Sequence, residues 1–186
     1  MNTYTIIAGA DGTGKTSLRG VLEGQSFILG RIIDADYIAK QNNGNVISAG
    51  KQAVNIINDC LDKNISFTQE TILSGHMTLH TIKKNRQKGY YVRMFYIGLN
   101  SENESLKRIE NRVCKGGHNI PAEDVHRRYS TRFMSLNTVA PYCDEVIFYD
   151  NENGFIKVAE IKNAVFHNTT EYCPQWLSEL KEYLAF

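Results

Sequence analysis

The chain holds little cysteine and less proline. Four cysteines, Cys60, Cys114, Cys143 and Cys173, are spread over 186 residues, far too sparse for a disulfide-stapled scaffold. None stands near another, or near a histidine, at zinc-site spacing. Reduced thiols in the cytosol are therefore expected. Pro121, Pro141 and Pro174 are the only prolines; each falls near the expected start of an element, and no Pro- or Gly-rich linker divides the chain. No stretch nears the ~18 apolar residues of a membrane helix. The apolar run at Tyr4 to Ala8 is too short for a signal peptide and lacks its basic start. Net charge is also low: +1 overall gives no bulk reason to bind nucleic acid or an anionic membrane. The expectation is a cytoplasmic protein with neither as partner.

What is present suits one domain over residues 1–186. Hydrophobic residues at 42% and charged residues at 22% match a globular chain with a core. Short β-prone runs at 3–8, 26–33 (interrupted by Gly30), 65–72, 90–99 and 145–149 read as strands. Between them, apolar residues recur at helical spacing over 15–24, 50–63, 76–88, 101–113, 121–135 and 174–186. A peripheral strand pair is expected within 156–166. This alternation predicts an α/β fold, with a mostly parallel central sheet of about five strands and helices on both faces.

The strongest local signal is Gly9-Ala10-Asp11-Gly12-Thr13-Gly14-Lys15-Thr16, a complete G-x-x-x-x-G-K-[ST] phosphate loop between a strand and a helix. The glycines let backbone N–H groups turn inward around a phosphate. The following helix, through Ser17, adds unpaired N–H groups and its positive dipole end. Lys15 reaches β- and γ-phosphate oxygens, and the Thr16 hydroxyl is a ligand for Mg²⁺. The loop predicts ATP or GTP binding, and no Asn-Lys-x-Asp guanine-reading motif occurs.

Ligands of an open parallel sheet sit beyond the carboxyl ends of its strands. Asp36 and Glu70 both fall at such ends. One can accept a proton from a substrate hydroxyl; the other can hold Mg²⁺ through water or bind a sugar hydroxyl. Each can instead cap the next helix. Residues 105–132 carry seven Lys or Arg against three Asp or Glu, a local +4. Arg108 and Arg112, one turn apart, share a helix face. With Gly116-Gly117 as a hinge, two helices can fold over the phosphates as a lid and exclude water. Arg112, then Arg108, then Arg128 are the leading phosphate contacts; a solvated basic face is the alternative. His118 either contacts a ligand or caps the turn before Pro121.

Beyond the P-loop, several segments carry a resemblance. They are Ile33-Asp34-Ala35-Asp36-Tyr37-Ile38-Ala39, Ser66-Phe67-Thr68-Gln69-Glu70-Thr71-Ile72-Leu73-Ser74-Gly75, Arg112-Val113 with Gly116-Gly117-His118-Asn119-Ile120-Pro121, and Tyr149-Asp150-Asn151. In order and spacing they resemble the zeta-toxin-like P-loop kinases, and in particular the short bacterial members labelled predicted ABC-type ATPases. The likeness runs from about Thr5 to Asn151, and the extension at about 155–186 matches no named pattern.

The resemblance implies a three-layer P-loop kinase-like fold with a small helical lid at about 105–135. It implies ATP with Mg²⁺ and phosphoryl transfer to a small-molecule hydroxyl. In zeta toxins proper that acceptor is UDP-N-acetylglucosamine, and an antitoxin protein is the implied partner. By residue, it implies Asp36 as general base, Glu70 and Thr71 facing the acceptor, and Arg108 and Arg112 feeding the lid. Arg127, Arg128 and Arg132 begin the lid's second helix, whose continuation departs from the family pattern, as does Asp34, where many relatives have Asn. A nucleotide-binding ATPase or switch without a small-molecule acceptor is the competing function.

Overall fold

The computed structural model describes residues 1–117 and 119–184. His118, weighed above as a ligand contact or cap, and the last two residues of the expected C-terminal helix lie outside the described residues. Among the described residues, seven strands form one sheet in the order β2-β3-β1-β4-β5-β6-β7. The strands are β1 (Thr3–Ala8), β2 (Arg31–Asp34), β3 (Phe67–Thr71), β4 (Tyr91–Gly98), β5 (Glu145–Asp150), β6 (Ile156–Lys162) and β7 (Val165–Asn168). The five expected strands pair in parallel. The expected peripheral pair is β6 and β7, which extend the same sheet antiparallel from β5. The sheet is thus two strands wider than expected, and part of the C-terminal extension belongs to the core.

β1 lies at the centre of the five parallel strands, and Ile6, Ile7 and Ala8 are buried and apolar on both faces, as a strand covered from both sides must be. Its even residues, Tyr4, Ile6 and Ala8, enter the larger core cluster. That cluster packs α2 (Ala35–Gln41), α3 (Val46–Asp62), α4 (Met77–Gln87), α7 (Arg132–Val139) and α8 (Gln175–Tyr183) onto one face. Ile7 enters a smaller cluster on the other face, with Phe95, Ile97 and Ile147 against Leu18 and Leu22 of α1 (Lys15–Gly24). The alternation follows from the two-residue period of a strand. α5 (Glu102–Cys114) and α6 (Ala122–Ser130) stand apart with a small core of their own, Ile109, Ile120 and Val125. This is the helical lid.

Four expectations change in detail. The strand at 26–33 is shortened to Arg31–Asp34. Gly30 sits at φ +65, and a Cβ there would lie 2.0 Å from the Ser66 carbonyl oxygen, so the chain must turn before pairing with β3. The apolar run before it is a loop that buries Leu29, packs Phe27 partly and leaves Ile28 exposed. A short helix, α2, follows β2 directly, capped by the Asp34 carboxylate, which accepts from Tyr37 N at 3.0 Å. The strand at 65–72 is trimmed to Phe67–Thr71. The helix expected over 121–135 is two helices that break at Thr131. There the Thr131 hydroxyl bonds back to the Arg127 carbonyl at 3.0 Å, a local bond that bends helices.

Candidate active site

The carboxyl ends of β1, β2 and β3 frame a cleft of about 310 Å³. The phosphate loop forms its floor through Asp11, Gly12, Gly14, Lys15 and Thr16. Asp34, Ala35 and Asp36 form one wall, Gln69, Glu70, Thr71 and Ile72 another, and Arg112 and Arg128 close it from the lid. Residues far apart in sequence meet because the three strands are parallel neighbours: β2 and β3 place Asp34 opposite Glu70, and β1 and β3 place Ala8 opposite Thr71.

The loop is braced by its neighbours. The Lys15 ammonium donates to the Gly9 and Ala10 carbonyls at 3.0 and 2.9 Å, and the Thr13 hydroxyl to Ala10 O at 3.0 Å. Asn151, beyond β5, donates its amide to the Thr13 carbonyl at 2.8 Å. From the lid, the Ser105 hydroxyl donates to the Asp11 carbonyl. Gly12 is needed for that approach: it sits at φ +73, and a Cβ would fall 2.7 Å from the Ser105 carbonyl oxygen. Burial lowers the Lys15 pKa; Asp11, Asp36 and Glu70 oppose the shift, and Arg112 adds to it. Lys15 therefore feels charges from all sides of the cleft.

The acidic residues take different places. Glu70 turns toward α1, where its carboxylate accepts from the Thr16 hydroxyl at 2.9 Å and pairs with Arg19 at 2.6 Å. Burial raises the Glu70 pKa, with Asp34 adding and Thr16, Arg19 and Lys15 opposing. Arg19 lies 4.0 Å from Asp34 as well, so one guanidinium serves two carboxylates on adjacent strands. Asp36 stands exposed in the first turn of α2. It is not the cap of that helix; Asp34 is. Thr71 accepts from Leu73 N at 3.1 Å, fixing the turn beyond β3.

The lid arginines also divide. Arg112 and Arg128 line the cleft. Arg128 pairs with Asp11 at 3.1 Å. Arg108 pairs with Glu104 at 2.8 Å and donates to the Asn151 carbonyl at 2.6 Å. It borders a second, shallower depression with Lys40, Asn111, Arg112 and Lys115. Sequence reasoning missed Arg19, Gln69 and Ser105. Thr16 and Arg19 are one helical turn apart, which places both on one face of α1 and was the available signal. Nothing local marks Gln69 or Ser105.

Thr16 and Glu70 supply the hard oxygen donors that Mg²⁺ prefers, and Mg²⁺ needs only one or two protein oxygens beside phosphate and water. Among the described residues no group of three or more His, Cys, Asp or Glu is arranged as a self-sufficient metal cage. No described helix is long and apolar enough to cross a membrane.

No protein-family model matches the sequence. A protein of Haemophilus influenzae described as uncharacterized is 34% identical over 133 residues, spanning 69% of this chain and 93% of that protein. Among solved structures, a chain from the PezAT chromosomal toxin-antitoxin system of Streptococcus pneumoniae superposes with a TM-score of 0.67 at 15% identity, covering 98% of this chain and 78% of that one. A chain of the AvrRxo1-ORF1:AvrRxo1-ORF2 complex with ATP gives 0.67 at 16% identity; it matches 99% of this chain, which spans only 63% of the neighbour's length. Shikimate kinase from Bacteroides thetaiotaomicron gives 0.50 at 11% identity over 80% of this chain and 86% of that one. The chain belongs to one family with the Haemophilus influenzae protein, and its fold is that of the zeta-toxin-like P-loop kinases.

Proposed function

We propose that the chain is an ATP-dependent kinase that moves the γ-phosphoryl group to a hydroxyl of a small molecule. The observation that carries this reading is the shared cleft. The phosphate loop, the exposed Asp36 carboxylate and two lid arginines line one space. A switch or simple ATPase positions only a water molecule and needs no open second wall able to seat a hydroxyl substrate.

Phosphoryl transfer asks for in-line positioning, charge neutralisation and a proton acceptor. The loop N–H groups and Lys15 hold the donor. Asp36 takes the proton from the attacking hydroxyl. Arg112 flanks the transferring group, where a planar guanidinium contacts two oxygens. The cleft lining carries three cations, Lys15, Arg112 and Arg128, against four carboxylates, Asp11, Asp34, Asp36 and Glu70. A triphosphate adds further negative charge, which favours a divalent cation entering with it. Thr16 and Glu70 would hold Mg²⁺, which neutralises charge on the β- and γ-phosphates when bound. The lid keeps water from competing as acceptor.

For the acceptor, a nucleotide sugar such as UDP-N-acetylglucosamine is the first candidate, with an antitoxin protein as partner; the fold shared with the PezAT chain supports testing both. The experiment supplies the chain with MgATP labelled on the γ-phosphate and a panel of hydroxyl metabolites that includes this sugar nucleotide. Label should move to one acceptor, and Asp36→Asn should stop the movement while keeping ATP affinity. Label released only as inorganic phosphate, equally in both proteins, would leave an ATPase.

A further inference from the structure

The phosphate loop of this chain carries a carboxylate in the place least suited to one. Asp11 lies two residues into the loop, is 5% exposed and lines the cleft that receives the polyphosphate. Like charges at such range in a part-buried site repel strongly. Yet Asp11 is the loop residue held by both lid helices. From α5, the buried Ser105 hydroxyl donates to its carbonyl, and the Ser105 backbone packs against Gly12 next door. From α6, the Arg128 guanidinium donates to its carboxylate at 3.1 Å across 117 residues of sequence. Arg128 is itself only 27% exposed. The ion pair is therefore partly shielded from solvent and salt, and breaking one half leaves the buried Asp11 carboxylate uncompensated, which costs more than removing both.

We propose that Asp11 and Arg128 are a positioning pair, in which Arg128 serves the nucleotide through Asp11 and not by gripping phosphate. Arg128 cancels a carboxylate that would otherwise push the triphosphate out of the loop. The inference rests on the loop being the site of the ATP donor. It predicts a particular non-additivity. Loss of Arg128 alone leaves Asp11 buried, unpaired and facing the phosphates. Loss of both charges restores a neutral loop. An arginine that gripped phosphate directly would not be replaced by removing Asp11.

The test is the MgATP dissociation constant by isothermal titration calorimetry on the full chain. Wild type, Arg128→Gln, Asp11→Asn and the double variant are compared, with far-UV circular dichroism as the folding check. Arg128→Gln should bind about 30-fold weaker, Asp11→Asn as well as wild type or better, and the double variant within about fivefold of wild type, since only coupled residues show such rescue. A double variant more than fivefold weaker than wild type overturns the proposal, as does Arg128→Gln within fivefold of wild type. If Arg128→Gln fails to fold, the double variant, which buries no unpaired charge, decides by the same fivefold criterion. Wild type that does not bind MgATP removes the donor reading itself and this inference with it; a wild type that binds, with a double variant that does not, sinks the inference alone.

Discussion

On the side of the cleft built by β1 and α1, the polar groups already have partners. Lys15 is bonded to two loop carbonyls, Thr16 to Glu70 and Asp11 to Arg128. On the side built by β2 and α2, Asp34 is held by Tyr37 N and lies 4.0 Å from Arg19, but Asp36 is exposed and its neighbour Tyr37 is 60% exposed. In the kinase we propose, the first is the donor side and the second the acceptor side. A phosphate donor is the same for every kinase, so its cradle is best fixed in advance, which lowers the reorganisation needed in the transition state. An acceptor supplies part of its own site, so that side stays accessible until substrate fills it.

Substitutions at four positions can break or sharpen this contrast. Lys15→Ala removes the cation at the centre of the preorganised side. ATP turnover should fall by ~10³-fold or more, as loss of a preorganised electrostatic contact does, read by phosphate release with MgATP. Turnover near wild type would mean the loop is not the donor site. Asp36→Asn acts on the open side. Label transfer should drop by about 10²- to 10⁴-fold, the range for a general base, with MgATP affinity unchanged. A parallel loss of affinity would move Asp36 to the donor side and dissolve the contrast.

Trp176→Ala tests how the preorganised side is supported from behind. Trp176 is fully buried, and its Nε1 donates to Asp150 at 2.7 Å. Its ring lies so close to Gly98 that a Cβ there would sit 2.2 Å from it. Asp150 precedes Asn151, which holds the Thr13 carbonyl. Urea unfolding should show a loss of about 3–5 kcal/mol, as for other large-to-small aromatic changes in cores; a loss below 1 kcal/mol would detach α8 from the core. The smallest effect separates the two aspartates beside β2. Asp34→Ala should cost about 1 kcal/mol as an N-cap deletion, and Asp34→Asn only a few tenths, since Asn caps equally well. Equal costs for both would assign Asp34 an electrostatic role with Arg19 in place of capping.

The phosphate loop was fully legible because its chemistry lies in eight consecutive residues. The helical lid was legible in its charge and its Gly116-Gly117 break. The run Phe27-Ile28-Leu29 misled as a strand, because β-branched and aromatic residues also occur in a loop that buries Leu29 and leaves Ile28 exposed, and Gly30 turns the chain before it can pair. α2 was hidden because seven residues carry too little periodicity, and Asp34-Ala35-Asp36 reads as a strand end from composition. The placement of Glu70 on the α1 side depended on the pairing register of β3 beside β1 and β2, which no local pattern fixes and a one-residue slip inverts.

Sequence alone determined the phosphate-loop motif and the α/β class, and it picked out Asp36, Arg112 and Arg128, which the fold brings to one cleft. These follow from local rules: backbone geometry at glycines, strand and helix periods, and charge at fixed spacing. Only the tertiary structure decided which carboxylate meets which cation. Asp11 with Arg128, and Glu70 with Thr16 and Arg19, are pairings made by strand order and by the folding of α5 and α6 onto the loop. Electrostatic partners are set by distance in space, and in a parallel sheet that distance is fixed by crossovers spanning tens of residues, beyond the reach of any local pattern.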